Sequence, residues 1–313
     1  MSTTLEPRPL FRTIPFCEAS RYSPWPERIF GIDPWTKPQR KAADVLREYN
    51  DGWYKSLLSA WDAHFATKPA SALSFFHQII KDNCAETEKN FDIYRTRQDE
   101  ALFSIGDVLG VGDLVLLTEM YRLMVVRFVE QLAEAHGARA VVETGCGTGI
   151  NLFFINALSG MAPIVGGEIC SNAVEVGNRI SKDLSLPGRF AIFDYHDPAS
   201  LRALVAGLEN YVLLTSHSIE QIQVREAGFI DSVLALPNKP AVVIHIEPVQ
   251  WKDPSFFSRL CERYATINCY NQDLHDLLIE KEAAGALQIV EKRKRCFGVS
   301  AFNPSSLIAW RPV

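Results

Sequence analysis

The spacing of apolar residues along the chain changes character near Gly137. Before it the pattern is helical. The stretch Ser71 to Asn83 carries Leu73, Phe76, Ile79 and Ile80 three or four positions apart, the stripe of an amphipathic helix. A helix is also expected over Lys41 to Thr67. A third, from about Asp113 to His136, sets Leu114, Leu117, Met120, Tyr121, Met124, Phe128 and Leu132 on one side and stops at Gly137. Irregular, proline-bearing segments separate them. One of these, Pro24 to Gln39, contains four prolines, two tryptophans and a phenylalanine, and is expected to be an arm packed by aromatics.

After Gly137 short apolar runs alternate with helical stretches. Strands are expected at Arg139 to Thr144, Pro163 to Ile169, Arg189 to Asp194, Tyr211 to Ser216 and Ala241 to Glu247. Helices should begin near Gly149, Ser171, Pro198, Ile219 and Pro254. Strands separated by helical crossovers imply a parallel sheet covered on both faces. Leu287 to Gly298 and Ser306 to Arg311 have only a loop between them, so that pair must be antiparallel. The chain therefore divides into a helical N-terminal region, residues 1–112, expected to act as a substrate lid or cap, and an α/β domain, residues 113–313.

Composition narrows the class. Hydrophobic residues make up 47% and charged residues 22%, ordinary for a soluble globular protein. No apolar run approaches the roughly 20 residues of a membrane helix, and Met1 to Pro15 lacks the apolar core of a signal peptide. A cytoplasmic protein without a membrane partner is expected. The seven cysteines at 17, 84, 146, 170, 261, 269 and 296 include no C-x-x-C pair, so reduced thiols are expected. A net charge of −5 provides no electrostatic footprint for nucleic acid. The one basic run, Lys292 to Arg295, falls in an expected strand and reads as a solvated edge.

The chemistry begins where the first strand runs into Glu143-Thr144-Gly145-Cys146-Gly147-Thr148-Gly149. A glycine loop between strand and helix is the setting of a nucleotide site, because glycine permits sharp turns and close approach. The spacing is G-x-G-x-G, one residue shorter than the dinucleotide fingerprint. No Lys-Ser/Thr ending follows, which excludes a P-loop. Glu143 would repel a pyrophosphate and attract an ammonium or sulfonium, which disfavours a nicotinamide oxidoreductase. Glu168 ends the second strand, where a carboxylate can accept from both ribose hydroxyls. Asp194 ends the third, where it can accept from an adenine amino group. Ligands of open α/β sheets bind beyond the strands' carboxyl ends, so these features converge.

With these residues, the chain from about Asp113 to Val313 resembles the class I S-adenosylmethionine-dependent methyltransferases. The resemblance implies a Rossmann-like, doubly wound sheet of seven strands with an antiparallel final pair, and S-adenosylmethionine as cofactor with S-adenosylhomocysteine as product. It implies that Glu143, Gly145, Gly147 and Gly149 line the methionine and ribose portions, that Glu168 holds the ribose, and that Phe193 and Asp194 frame the adenine. Cys146, Ile169, Ser216 and His217 are expected beside the cofactor.

In that family the end of the fourth strand lies nearest the transferred methyl. Here this segment is Thr215-Ser216-His217-Ser218, so His217 is the first candidate for a general base. His245 and Glu247 alternate along the fifth strand and share one face, so they are expected close to His217 as further catalytic candidates. Two histidines and a carboxylate could hold a divalent metal, but they match no local metal motif. A polar cluster that positions substrate is the reading adopted, with no metal.

The Asn/Asp-Pro-Pro-Tyr/Phe run of the family's exocyclic-amine methyltransferases is absent. A small-molecule or peptide oxygen is the expected acceptor. An N- or C-methyltransferase of a small molecule or protein, and a non-catalytic cofactor-binding scaffold, are the alternatives. Tyr94 with Arg95 or Arg97 could hold an anionic acceptor, against the competing reading of solvated helix surface. Tyr270 and Asn271 are expected to face the same cleft. A homodimer is compatible with the sequence.

Overall fold

The computed structural model describes residues 10–35, 42–67 and 71–313. The arm expected over Pro24 to Gln39 and the helix expected from Lys41 therefore lie partly outside the described residues.

Seven strands build the main sheet: β4 (Ala140–Thr144), β5 (Ile164–Glu168), β6 (Gly188–Ile192), β7 (Tyr211–Ser216), β8 (Val242–Pro248), β9 (Leu287–Phe297) and β10 (Ser305–Pro312). Their order is β6-β5-β4-β7-β8-β10-β9. The pairs among β4 to β8 are parallel, and β10 inserts antiparallel between β8 and β9. This is the seven-stranded sheet that the glycine-loop resemblance implies. Alternate side chains feed two cores. Val141, Ile164, Val212, Leu214 and Ile244 face one, and Val142, Val165, Leu213, Val243 and Trp310 face the other, as a strand's two-residue period requires. The order reverses at β4, between β5 and β7, which opens a crevice at the carboxyl ends of these strands.

The helix Leu114–His136 begins where the Asp113 carboxylate accepts from Leu116 N–H at 2.8 Å and ends at Gly137, whose φ is +68°. The helix expected from Ser71 is Ala72–Lys89, with Ser71 as its cap.

The N-terminal region departs from an all-helical reading. Residues Ala101–Ile105 (β2) and Val108–Gly112 (β3) form an antiparallel hairpin. The strand β1, Phe11–Thr13, adds to β3 to complete a three-stranded sheet. The physical reason is a tight turn at Gly106, with φ +58°, between two short apolar runs, a hairpin pattern that competes with the helical period. This small sheet is sewn to β9: Ser104 and Gly298 exchange backbone bonds of 2.9 and 2.8 Å, and Gly106 N–H donates to the Arg295 carbonyl at 2.8 Å. Arg295, read as part of a solvated edge, is instead buried, with Nε 2.6 Å from Asp107 and Nη1 3.0 Å from Asp253. Lys292, Arg293 and Lys294 are exposed on the edge strand.

Nor is Lys41 to Thr67 one helix. A turn of α-helix, Ala42–Val45, leads into a π-helical segment, Leu46–Trp53, before the helix Leu57–Thr67. The weak helix formers Asn50, Asp51 and Gly52 sit where the register changes, and Asn50 is used elsewhere.

Candidate functional site

A cleft of about 320 Å³ opens over the carboxyl ends of β4, β5 and β7, within the range of small-molecule sites. Its floor is the glycine loop. Gly145 and Gly147 have φ of +67° and +55°, and Gly145 and Cys146 N–H both donate to the Gly167 carbonyl, at 2.8 and 3.1 Å. A Cβ at Gly145 would lie 2.4 Å from Ser218 Cβ. Glu168 braces this loop: one carboxylate oxygen accepts from Gly147 N–H at 2.9 Å, the other from Cys170 N–H at 3.1 Å. A carboxylate has further lone pairs, and Glu168 also lines the cleft.

Of the residues expected at the cofactor, Gly145, Gly147, Glu168, Ile169, Phe193, Asp194 and His217 line this one cleft. Four others do not. Glu143 is buried below the loop, where its Oε1 accepts from Asn151 Nδ2 at 2.6 Å. Cys146 points down, its Sγ 2.7 Å from where a Cβ on Gly166 would stand. Burial pushes the Cys146 thiol up, and it pushes Cys170 to about 12, so both stay protonated. Gly149 packs against Phe190. Ser216 is turned inward, 2.7 Å from the Tyr121 hydroxyl.

His217 stands at the end of β7 in the left-handed region, with φ +50°. Its Nε2 is 2.6 Å from Ser305 Oγ, and its Nδ1 is 3.5 Å from Glu220 Oε1. Glu220 is buried, and its other oxygen accepts from Asn303 Nδ2 at 2.8 Å. Burial pulls the imidazole pKa down, but the charge and hydrogen bond of Glu220, with help from Glu247, hold it above its usual value. Conversely, burial raises Glu220, but His217 and the amides of Asn303 and Gln221 hold it below the carboxylate range.

Of the three catalytic candidates, His217 lines the cleft and the other two do not. His245 is fully buried in the core, with Nδ1 2.9 Å from Thr215 Oγ1 and Nε2 accepting from Trp310 Nε1 at 2.9 Å. Burial drops its pKa to about 3, and it is not among the residues that line the cleft. The face that it shares with Glu247 carries one of the two cores, with Val243 and Trp310. Glu247 is also buried, but it sits one turn of the pleat nearer the cleft. Its Oε1 accepts from Ser218 N–H at 3.1 Å and Ile219 N–H at 3.3 Å, which holds the loop that carries His217. Among the described residues no group of three or more His, Cys, Asp or Glu is placed to hold a metal ion.

The expected acceptor residues Tyr94, Arg95, Tyr270 and Asn271 are not among those that line the cleft, although Asn271 N–H donates to the Glu220 carbonyl at 2.8 Å. Tyr94 is exposed, and Arg95 is paired with Glu27 at 2.8 Å, so neither lines the cleft. Asn271 Oδ1 accepts from Asp273 N–H at 3.2 Å and Leu274 N–H at 3.1 Å, at the start of the helix Leu274–Ala283. Tyr270 packs on Tyr264. The cleft is walled by Tyr49 of the π-helical segment, by Val45 and Tyr54 on either side of it, and by Gln221, Gln223 and Glu226 beyond β7. The only sequence signal for the first group was the aromatic pair around Asn50-Asp51-Gly52. Asn50 docks this segment: its Oδ1 accepts from Asn172 N–H at 2.8 Å, and its carbonyl accepts from Asn172 Nδ2 at 2.7 Å. A second tie follows, from Trp61 Nε1 to Asp183 at 2.9 Å.

No helix among the described residues is long and apolar enough to cross a membrane. No family model matches the chain, and no curated protein matches it. Among solved structures it is similar to magnesium protoporphyrin IX methyltransferase from Synechocystis PCC 6803, with 11% identity over 87% of this chain and 100% of that one, and a TM-score of 0.47. It is also similar to geranyl diphosphate C-methyltransferase from Streptomyces coelicolor A3(2), with 14% identity over 64% and 83% of the two chains and a TM-score of 0.44. A third similarity is to the [4+2]-cyclase SpnF, with 13% identity over 60% of this chain and 80% of that one, and a TM-score of 0.41. Each is a similarity of chain path, and the chemistry of the site is read from its own residues.

Proposed function

We propose that this chain is an S-adenosylmethionine-dependent methyltransferase acting on an oxygen of a small-molecule or peptide acceptor, with residues 1–112 supplying much of the cover over the site. The observation that carries the reading is the meeting of five features at one cleft: Gly145, Gly147, Glu168, Asp194 and His217. The residues fit the cofactor. The glycines offer backbone without side chains, Glu168 keeps acceptor capacity for ribose hydroxyls, and Glu143 has one buried oxygen without a partner.

S-adenosylmethionine, when bound, supplies a methyl group on a sulfonium and leaves as S-adenosylhomocysteine. The chain's own contribution is alignment, exclusion of water and management of the acceptor's proton. Tyr49 and Tyr54 cover the cleft. His217 accepts the proton of a hydroxyl acceptor, with Glu220 stabilising the resulting imidazolium and Asn303 holding Glu220 in place. The raised pKa of His217 favours a second reading, in which a protonated imidazole donates a hydrogen bond to an acceptor carboxylate. A pH–rate profile separates the two. A hydroxyl acceptor requires neutral His217 and reacts faster as pH rises through its pKa; a carboxylate acceptor reacts more slowly.

The first test is calorimetric binding and thermal unfolding with S-adenosylmethionine, S-adenosylhomocysteine and NAD in parallel. Binding of the two sulfur ligands, with raised melting temperature, is expected. Binding of NAD alone would replace the reading with an oxidoreductase, and binding of none would favour a scaffold.

A further inference from the structure

His217 is gripped by both ring nitrogens. Glu220 Oε1 lies 3.5 Å from Nδ1, and Ser305 Oγ lies 2.6 Å from Nε2. The two partners differ in what they can do. Glu220 is buried, yet His217 and the amides of Asn303 and Gln221 hold it below the carboxylate range, and an ionised carboxylate only accepts. Nδ1 therefore keeps its proton, and Nε2 carries the lone pair of the neutral ring. A hydroxyl both donates and accepts, so Ser305 can cap that lone pair or receive the Nε2 proton of an imidazolium.

Ser305, the first residue of β10, is fully buried and is backed by two further hydroxyls. Tyr121 Oη, on the helix Leu114–His136, is 2.7 Å from Ser216 Oγ at the end of β7. Burial raises the Tyr121 phenol to about 12, with Arg122 and the hydroxyls of Ser216 and Ser305 pulling against it. The Tyr121 ring also packs edge-on against the imidazole, with centroids 5.6 Å apart. Three elements thus meet around Nε2. With neutral His217 the hydroxyls donate toward the ring; with an imidazolium they turn and donate away, and no heavy atom moves. The other charged groups that act on the ring are Glu247, which favours the imidazolium, and Arg122, which opposes it. The His217 backbone, at φ +50°, is a conformation that persists only where its surroundings fix it.

We propose that Ser305 is the positioning residue of His217: it caps Nε2, the one basic nitrogen, in the resting site and yields it to the acceptor hydroxyl by turning its own O–H toward Tyr121. This rests on the reading of His217 as the base, and adds which nitrogen acts and what guards it. The acceptor's proton ends on Nε2, and Glu220 faces the resulting charge through Nδ1–H. Ser305 neither gains nor loses a proton, and it accepts from Nε2–H once the acceptor has left.

The test uses the full chain and diethyl pyrocarbonate, which acylates an imidazole through a free lone pair. Mass spectrometry of the peptide carrying His217 reads the rate, compared on the plateau above the titration midpoint. Wild type should react slowly. Ser305→Ala should react roughly threefold to tenfold faster, the range for losing one hydrogen bond. Ser305→Thr keeps the hydroxyl and should return to the wild-type rate. Nitrogen NMR of labelled histidine gives a second readout: Ser305→Ala should move the Nε2 resonance and leave Nδ1 protonated. Equal acylation of wild type and Ser305→Ala, or an unmoved Nε2 resonance, would overturn the assignment. So would a neutral wild-type ring with its proton on Nε2, and that arm needs no variant. Calorimetry with S-adenosylhomocysteine on the same samples separates the two readings. Binding with an unmoved Nε2 resonance removes the Ser305 role alone. Wild type that does not bind it removes the methyltransferase reading and this proposal with it.

Discussion

The Tyr54 hydroxyl stands 2.9 Å from where a Cβ on Gly147 would lie. A residue of the N-terminal region thus rests on the central glycine of the loop, across almost a third of the chain. Gly147→Ala would both force an L side chain to φ +55° and bring it against the Tyr54 hydroxyl. Strain of this kind costs about 1–2 kcal/mol. Affinity for S-adenosylhomocysteine should fall roughly tenfold or more by calorimetry. Tyr54→Ala removes the clash but not the strain, so adding it should restore part of the loss.

Asn50 caps the helix Ser171–Asp183 from outside, through Asn172 N–H. Asn50→Ala should lower stability by about 1 kcal/mol, the usual value of a cap, and release S-adenosylhomocysteine several-fold faster in stopped-flow displacement. An unchanged release rate would mean that the π-helical segment covers the cleft without gating it.

His217 owes its raised pKa to Glu220 acting against burial. Titration of the imidazole by NMR should place it above the usual value of about 6.5. Glu220→Gln removes the opposing charge and leaves burial dominant, so the midpoint should fall below that value. A midpoint that stays put would remove Glu220 as the partner of His217.

Glu247 is buried with one oxygen unpartnered, and burial, followed by the charge of Glu220, raises its carboxyl to about 7. Its folded pKa exceeds its unfolded value near 4.3, so the folded state binds the extra proton. That contribution to stability is complete below the unfolded pKa and is lost as pH rises through about 7. Glu247→Gln should therefore match wild type near pH 4 and exceed it above pH 8, by up to roughly 4 kcal/mol at about 1.4 kcal/mol per unit. Urea midpoints at the two pH values check it.

The site divides according to how its residues are encoded. Gly145, Gly147, Glu168 and Asp194 fall at the ends of apolar runs, so their meeting follows once the runs are read as parallel strands. His217 follows in the same way from β7. His245 does not reach the cleft because alternation along a strand says which residues share a face, not how far each lies from the strand's carboxyl end. The register of β7 and β10 decided that, by setting Thr215 and Trp310 against its ring.

The sequence by itself determined the seven-stranded sheet, its antiparallel final pair and the glycine loop with its acidic partners. These depend on local periodicity and on the position of polar residues at strand ends, which the two-residue pleat and the crossover rule convert directly into place. Only the tertiary structure decided what covers and completes the site: Tyr54 on Gly147, Asn50 on Asn172, Asn303 on Glu220, Ser305 on His217. Each joins segments far apart in the chain through one or two hydrogen bonds or ring contacts. Such contacts leave no period to read, because they are selected by the packing of whole elements and not by the pattern within any one of them. The β2–β3 hairpin belongs to the same class. Its short runs carry too few residues for a period to stand out, and its pairing to β9 through Ser104, Gly298 and Arg295 secures it in place.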